Sequence, residues 1–286
     1  MRGAPQAIVP VIVGLLVLGA TYAATADDRA EDGADEVLVV YGEAPSEFGL
    51  LSIPESGRHV PVVVLVHGGF WRVRLGDTSL MAALSADLVE RGWAVWNIEY
   101  GRTGEVMGGW PHTFEHVASA IDHLDVLAHT YPIDSDRVAV VGHSAGGHLA
   151  IWSGGRTGLD RGDPGSDPIV DPLLVVGLAP VLDVESAARD GLGRGAVVDL
   201  LGGLPETVPE RYRVAAPARG DAEVVVVLGI EDDIVPDEYA VVPALGAESI
   251  TVAGANHFSL IDPESAAWAA AVSYTHLTLP TKVLVG

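Results

Sequence analysis

The sequence predicts a doubly wound, mostly parallel α/β sheet with helices on both faces. Three observations lead there. Apolar, β-branched runs of strand length recur along the chain, as in Pro61–Val66 (PVVVLV) and Glu223–Leu228 (EVVVVL), and such runs suit strands covered on both faces. Between them lie segments with apolar residues at helical spacing, such as Leu80, Leu84 and Leu88, or Val117, Ile121, Leu124 and Ala128. The glycine-rich and polar clusters follow directly after strands, where open α/β sheets bind their ligands.

Length and composition fit one large domain: 286 residues, 49% hydrophobic, with no cysteine and so no disulfide. Residues 1–26 carry Arg2, an apolar stretch from Ile8 to Ala20, and Ala24-Thr25-Ala26 before an acidic run. That pattern predicts a secretory signal peptide and a secreted or periplasmic product. The stretch is short for a membrane span and contains Pro10, which makes an uncleaved N-terminal anchor the lesser alternative. At the other end, residues 272–286 resemble a translated sequencing adapter. The domain is therefore expected over 27–271, with its last helix truncated. Of 16 basic residues, Arg2 and Lys282 lie outside 27–271; the remaining 14 against 39 acidic residues give −25. Such a surface excludes nucleic acid and anionic membrane as partners, and no stable membrane association is expected after signal cleavage. No repeat or linker divides the domain, and nothing in it fixes an oligomeric state.

Taken in order, Glu36–Tyr41 and Gly49–Ile53 read as an antiparallel edge hairpin. Pro61–Val66 is a buried strand ending in His67-Gly68-Gly69-Phe70-Trp71. Ser79–Arg91 is a helix stopped by Gly92, and Trp93–Ile98 is the next strand. A glycine-rich loop, Tyr100–Pro111, leads to a helix over Thr113–Thr130. Arg137–Val141 is a strand, followed after Ser144 by a helix, and Leu173–Leu178 is another strand. The segment Asp183–Ala216 has helical stretches at Ala196–Leu201 and Pro209–Ala215, placed to cover a site from above. Glu223–Leu228 and Ser249–Val252 are the last strands, and Pro263–Ala271 begins the final helix.

Gly142-His143-Ser144-Ala145-Gly146 is a G-x-S-x-G nucleophile elbow in its proper strand-turn-helix context. A serine on so sharp a turn needs neighbours without side chains two positions away, and Gly142 and Gly146 meet that demand. The helix that follows aims free backbone N–H groups at the serine, beginning with Ala145. Ser144 is therefore the candidate nucleophile. A hydroxyl needs a base, and the base needs an orienting anion. Two later strands supply them: Asp232 or its neighbour Asp233 after one, His257 after the next. Gly69 and Phe70, with Gly68 as a third candidate, would complete an oxyanion hole with Ala145. Trp71, His143 and Trp110 are the candidate pocket-lining residues. The alternatives are a core position for Trp71 and structural roles for His143 and His148, which flank the nucleophile.

His112-Thr113-Phe114-Glu115-His116 spells H-x-x-E-H, an inverted zinc-protease motif. No third ligand stands at a convincing spacing, and the pair reads as a solvated or loop-side helix start with no metal. No phosphate-binding G-x-x-x-x-G-K-[ST] and no basic aromatic patch is present.

HGGFW, GHSAGGHLA, the G-x-x-D-x-x-V-P form of GIEDDIVP, and GANHF together resemble an α/β-hydrolase of the esterase/lipase type. The branch containing kynurenine formamidase-like and feruloyl-esterase-like (BD-FAE) enzymes is the most similar. The resemblance spans nearly all of residues 37–271 and implies a Ser144, Asp232, His257 triad, with Asp232 rather than Asp233 as the acid. It implies hydrolysis of a small-molecule ester through an acyl-Ser144 intermediate, without a cofactor. An amidase, arylformamidase or exopeptidase on the same triad, or an inactive binding module, are the alternatives. Leu228 stands where the family often has histidine.

Overall fold

The structure is a computed structural model and describes residues 36–55 and 59–278, the last five by backbone alone. The expected signal peptide and Lys282 lie outside the described residues. Eight strands form one sheet: β1 (Glu36–Val40), β2 (Phe48–Ser52), β3 (Val60–Val66), β4 (Ala94–Ile98), β5 (Ile133–His143), β6 (Leu174–Leu178), β7 (Glu223–Gly229) and β8 (Glu248–Val252). Their order is β1-β2-β4-β3-β5-β6-β7-β8. β2 pairs antiparallel with β1 and β4, and the remaining pairs are parallel, as the apolar runs predict. After β4 the chain crosses back over β3 to begin β5, which opens a crevice at the carboxyl ends of β3 and β5.

The period-2 alternation of strand side chains divides two cores. Val62, Val64 and Val66 of β3 enter one, and Val63 and Leu65 enter the other. Helices α1 (Ala82–Glu90) and α8 (Ala266–Thr278) close the second core through Leu84, Leu88 and Trp268. Helices α2 (His112–Ala128) and α3 (Ala145–Ser153) close the first. The excursion between β6 and β7 folds as α4 (Val184–Arg189), α5 (Leu192–Leu201) and α6 (Pro209–Ala215). A short α7 (Asp237–Ala240) follows β7.

Most elements fall within two residues of their expected bounds. The sequence reading omits α4, whose start is capped by the Asp183 carboxylate accepting from the Ser186 N–H at 3.0 Å. It also omits the left-handed run at Gly193, Arg194 and Gly195 inside α5, which glycine favours on either side of the arginine. Helix α8 runs on past Ala271 to Thr278, into the stretch read as foreign, with Val272 buried in the second core. The Trp268 indole anchors it, donating to Asp87 at 2.7 Å. Among the described residues no helix is long and apolar enough to cross a membrane.

Behind α3, Arg156 is fully buried and forms a two-pronged pair with Asp122 of α2, at 3.2 and 2.6 Å. Asp122 Oδ1 also accepts from the Ile169 and Val170 N–H groups, each at 3.1 Å. One carboxylate thus pins the 156–170 excursion to the helix. Removing it strands a buried guanidinium, so Asp122→Ala is expected to cost about 3–5 kcal/mol in urea unfolding.

Candidate active site

β5 turns into α3 within a single residue. Ser144 sits there at φ +55° and ψ −119°, a conformation strained for any residue with a side chain. The turn is crowded on both flanks. A β-carbon at Gly142 would stand 2.1 Å from the Gly146 carbonyl oxygen, and one at Gly146 would stand 2.2 Å from the Val66 carbonyl oxygen of β3. The Ser144 N–H donates to the Leu178 carbonyl at 2.8 Å, tying the turn to the end of β6.

Facing it, the chain leaves β3 with three left-handed residues in succession, Gly69 (φ +116°), Phe70 (+49°) and Trp71 (+54°). A β-carbon at Gly68 would lie 3.2 Å from Ser144 Cβ, so this turn rests directly against Ser144. His67 Nδ1 donates to the Gly68 carbonyl at 2.8 Å, and His67 Nε2 meets Glu99 Oε1 at 2.9 Å. Tyr100 stacks on the His67 ring at 4.4 Å and donates its hydroxyl to the His67 carbonyl at 2.8 Å. Because a peptide unit is planar and trans, fixing the Gly68 carbonyl on one side fixes the Gly69 N–H on the other. Sequence reasoning missed Glu99 and Tyr100. The available signal is a carboxylate placed immediately after the buried strand β4.

Asp232 and His257 arrive from the loops after β7 and β8. His257 Nδ1 donates to Asp232 Oδ2 at 2.7 Å, while Asp232 Oδ1 accepts from the Ile234 and Val235 N–H groups at 2.8 and 3.0 Å. Burial on its own would raise the Asp232 carboxyl. The bonds from His257, Val235 and Ile234 outweigh it and hold the group below its ordinary value. Asp233 instead lines a cavity of about 340 Å³ with Glu231, Ile234, Asn256, His257 and Phe258. The geometry thus pairs His257 with Asp232, the residue that the resemblance singles out.

His143 and His148 are both buried. His143 Nε2 donates to the His257 carbonyl at 3.0 Å, and its ring lies 4.5 Å from the His257 ring. His148 Nε2 donates to the Ala215 carbonyl at 2.8 Å. Burial pushes their imidazoles down to about 3 and about 4 respectively, the nearby His257 adding to the effect at His143. Both rings are spent on the protein itself, so His143 takes its structural alternative rather than a pocket-lining place. Trp71 needs the same correction. It is fully buried in the first core, edge-on to His148 at 5.4 Å, because the left-handed turn throws its indole inward. Trp110 is half-buried, with its ring on Phe114 at 5.5 Å and its backbone N–H donating to the Leu200 carbonyl at 2.8 Å.

The 183–216 excursion, expected as a cover, folds as α4–α6 and is latched to the 67–71 turn. Arg72 donates to the Gly193 carbonyl at 2.6 Å and the Arg194 carbonyl at 3.1 Å, and pairs with Asp199 at 2.6 Å. In the H-x-x-E-H stretch, His112 pairs with Glu115 at 3.1 Å. His116 is buried rather than solvated, because its Nδ1 accepts the Gly101 N–H at 3.0 Å. Among the described residues no three His, Cys, Asp or Glu side chains are grouped to hold a metal.

A mostly parallel eight-stranded sheet, with a serine elbow after its fifth strand and an acid and a histidine after its seventh and eighth, is the α/β-hydrolase fold. Within that class the BD-FAE family model matches residues 51–242, and the chain belongs to the BD-FAE family. Esterase LipC of Mycobacterium tuberculosis is 30% identical over 223 residues, 71% of this chain and 52% of that protein. The chain thus spans about half the length of that relative. Among solved structures, a truncated carbohydrate esterase from gut microbiota superposes with a TM-score of 0.73 at 21% identity, covering 86% of this chain and 97% of that one. Esterase B from Lactobacillus rhamnosis gives a TM-score of 0.71 at 20% identity, covering 88% and 87%.

The depressed Asp232 carboxyl contributes stability that is fully present above its unfolded value of 3.8 and is lost as pH falls through the lower folded value. Urea unfolding of the wild type and Asp232→Asn is expected to show a stability gap near pH 6 that narrows progressively below pH 3.8. A gap of constant size across that range would contradict the assignment.

Proposed function

We propose that this chain is a serine hydrolase that cleaves small carboxylic esters through an acyl-Ser144 intermediate. The observation that carries the reading is the 2.7 Å bond between Asp232 and His257, together with Ser144 held at φ +55° at the same edge of the sheet. Asp232 keeps the His257 proton on Nδ1 and leaves Nε2 free to act as base. Ser144 Oγ attacks the ester carbonyl as His257 Nε2 takes its proton. The oxyanion is received by the N–H groups of Ala145, at the start of α3, and of Gly69 and Phe70, with Gly68 as the third candidate. The tetrahedral adduct collapses, and the alcohol leaves with the proton from His257. Water repeats the sequence in reverse roles to free the acid.

The family membership and the esterase name of LipC support ester rather than peptide chemistry. The short cover of α4–α6 favours small substrates. We read residues 1–26 as an export signal and 27–271 as the working domain, which places the reaction in the periplasm or outside the cell.

A p-nitrophenyl ester series, with N-formylkynurenine beside it, tests the proposal. Turnover of short-chain esters is expected, falling about 10⁴-fold or more in Ser144→Ala. Folded protein that turns over N-formylkynurenine but no simple ester would replace the esterase with an arylformamidase. Folded protein inert to both would overturn the reading.

A further inference from the structure

We infer that His143 is a positioning residue for the base: its Nε2–H bond to the His257 backbone carbonyl, with its ring against the His257 ring, fixes where His257 stands relative to Ser144. This rests on His257 being the general base.

His257 reaches the site from far along the chain. It follows β8, the last strand of the sheet, which pairs only with β7, through a turn at Gly254 (φ +75°). Asp232 holds the ring at Nδ1, and that bond sets the tautomer and one axis of orientation. It leaves the His257 carbonyl without an anchor, between an Ala255 carbonyl that accepts the Glu231 N–H at 2.9 Å and a Phe258 N–H that donates to Asn256 Oδ1 at 3.0 Å. The 3.0 Å bond from His143 supplies that second anchor, and its source is special, since His143 is the residue immediately before the nucleophile. The side chain adjoining Ser144 therefore reaches across the 114 positions that separate His143 from His257 and sets the spacing between nucleophile and base.

The protonation of His143 suits this task. A carbonyl only accepts, so the bond requires the proton on Nε2. Burial first, and then the charge on His257, keep the imidazole neutral, leaving a bare lone pair on Nδ1. That atom has no donor among the described residues and lies 3.0 Å from where a Gly68 β-carbon would stand. The ring is thus wedged between the 67–71 turn and the base. Being neutral, it sets no cation beside His257 when that residue takes the serine proton. Asp232 and His257 are the charged or chargeable groups acting on it.

Three substitutions test the inference. Gln carries an amide N–H to the place of Nε2, Asn stops one methylene short, and Phe keeps the ring without a donor. With a short p-nitrophenyl ester, His143→Asn and His143→Phe are expected to lose about 10- to 100-fold in kcat with KM within about twofold, whereas His143→Gln stays within about threefold of wild type. Melting curves identify folded variants, and if the Phe variant does not fold, the Asn and Gln pair carries the comparison. Proton NMR gives a readout that needs no turnover. The low-field Nδ1–H resonance of His257 should persist in wild type and the Gln variant, and broaden or shift in Asn and Phe. Unchanged kcat and resonance in Asn and Phe, or a Gln variant as impaired as Asn, would overturn the positioning role. Wild-type activity that survives Ser144→Ala would instead sink the triad reading, with the resonance still reporting on His143.

Discussion

At the top of β5 the chain passes from strand to helix in one residue, and Ser144 takes a positive φ to do so. Both flanks of that turn are filled by backbone, with the Gly146 carbonyl against Gly142 and the Val66 carbonyl against Gly146. Only hydrogen fits at either place. The same crowding brings the end of β3 against the elbow, so the HGG turn and the serine meet because the two strands are neighbours in register, with Val66 opposite Gly142. The acid and histidine loops then need only follow β7 and β8 to the same edge.

Around that edge the protein spends its polar groups on holding geometry. His67, Glu99 and Tyr100 fix two successive peptides of the turn, at the His67 and Gly68 carbonyls, and Ile234 and Val235 hold Asp232. His143 holds the His257 carbonyl. These contacts are buried, where each bond acts in a low dielectric and an unmade one is costly. The depressed Asp232 carboxyl and the neutral His143 ring are two results of one environment: the carboxylate is ionised because three donors surround it, and the imidazole is neutral because burial finds it no anion of its own.

Much of this was legible in the sequence because the relevant constraints are local. Apolar runs announced the strands, and the elbow and the HGG turn are short spellings forced by sterics within five residues. Asp232, which GIEDDIVP singles out through its resemblance to the family pattern, is the carboxylate that His257 meets. What escaped was set by tertiary placement. Trp71 and His143 stand next to the reacting residues in sequence, yet their side chains point into the core and across to His257, directions that the left-handed turns decide. His116 reads as solvated at a helix start, yet it is buried, with the Gly101 N–H donating to its ring. Helix α4 was too short for periodicity to register, and the left-handed Gly193–Gly195 run has meaning only with Phe70 and Arg72 beneath it.

That last contact joins two regions that are usually thought of separately. Arg72 grips the cover through the Gly193 and Arg194 carbonyls and Asp199, and it lies one residue beyond the left-handed turn against Ser144. Two of its three grips are on main chain, so side-chain drift in the cover leaves them in place, whereas an insertion or deletion there pulls on the turn itself. The main-chain length between β6 and β7, rather than side-chain identity along it, is therefore what Arg72 transmits to the backbone at Gly69, Phe70 and Trp71.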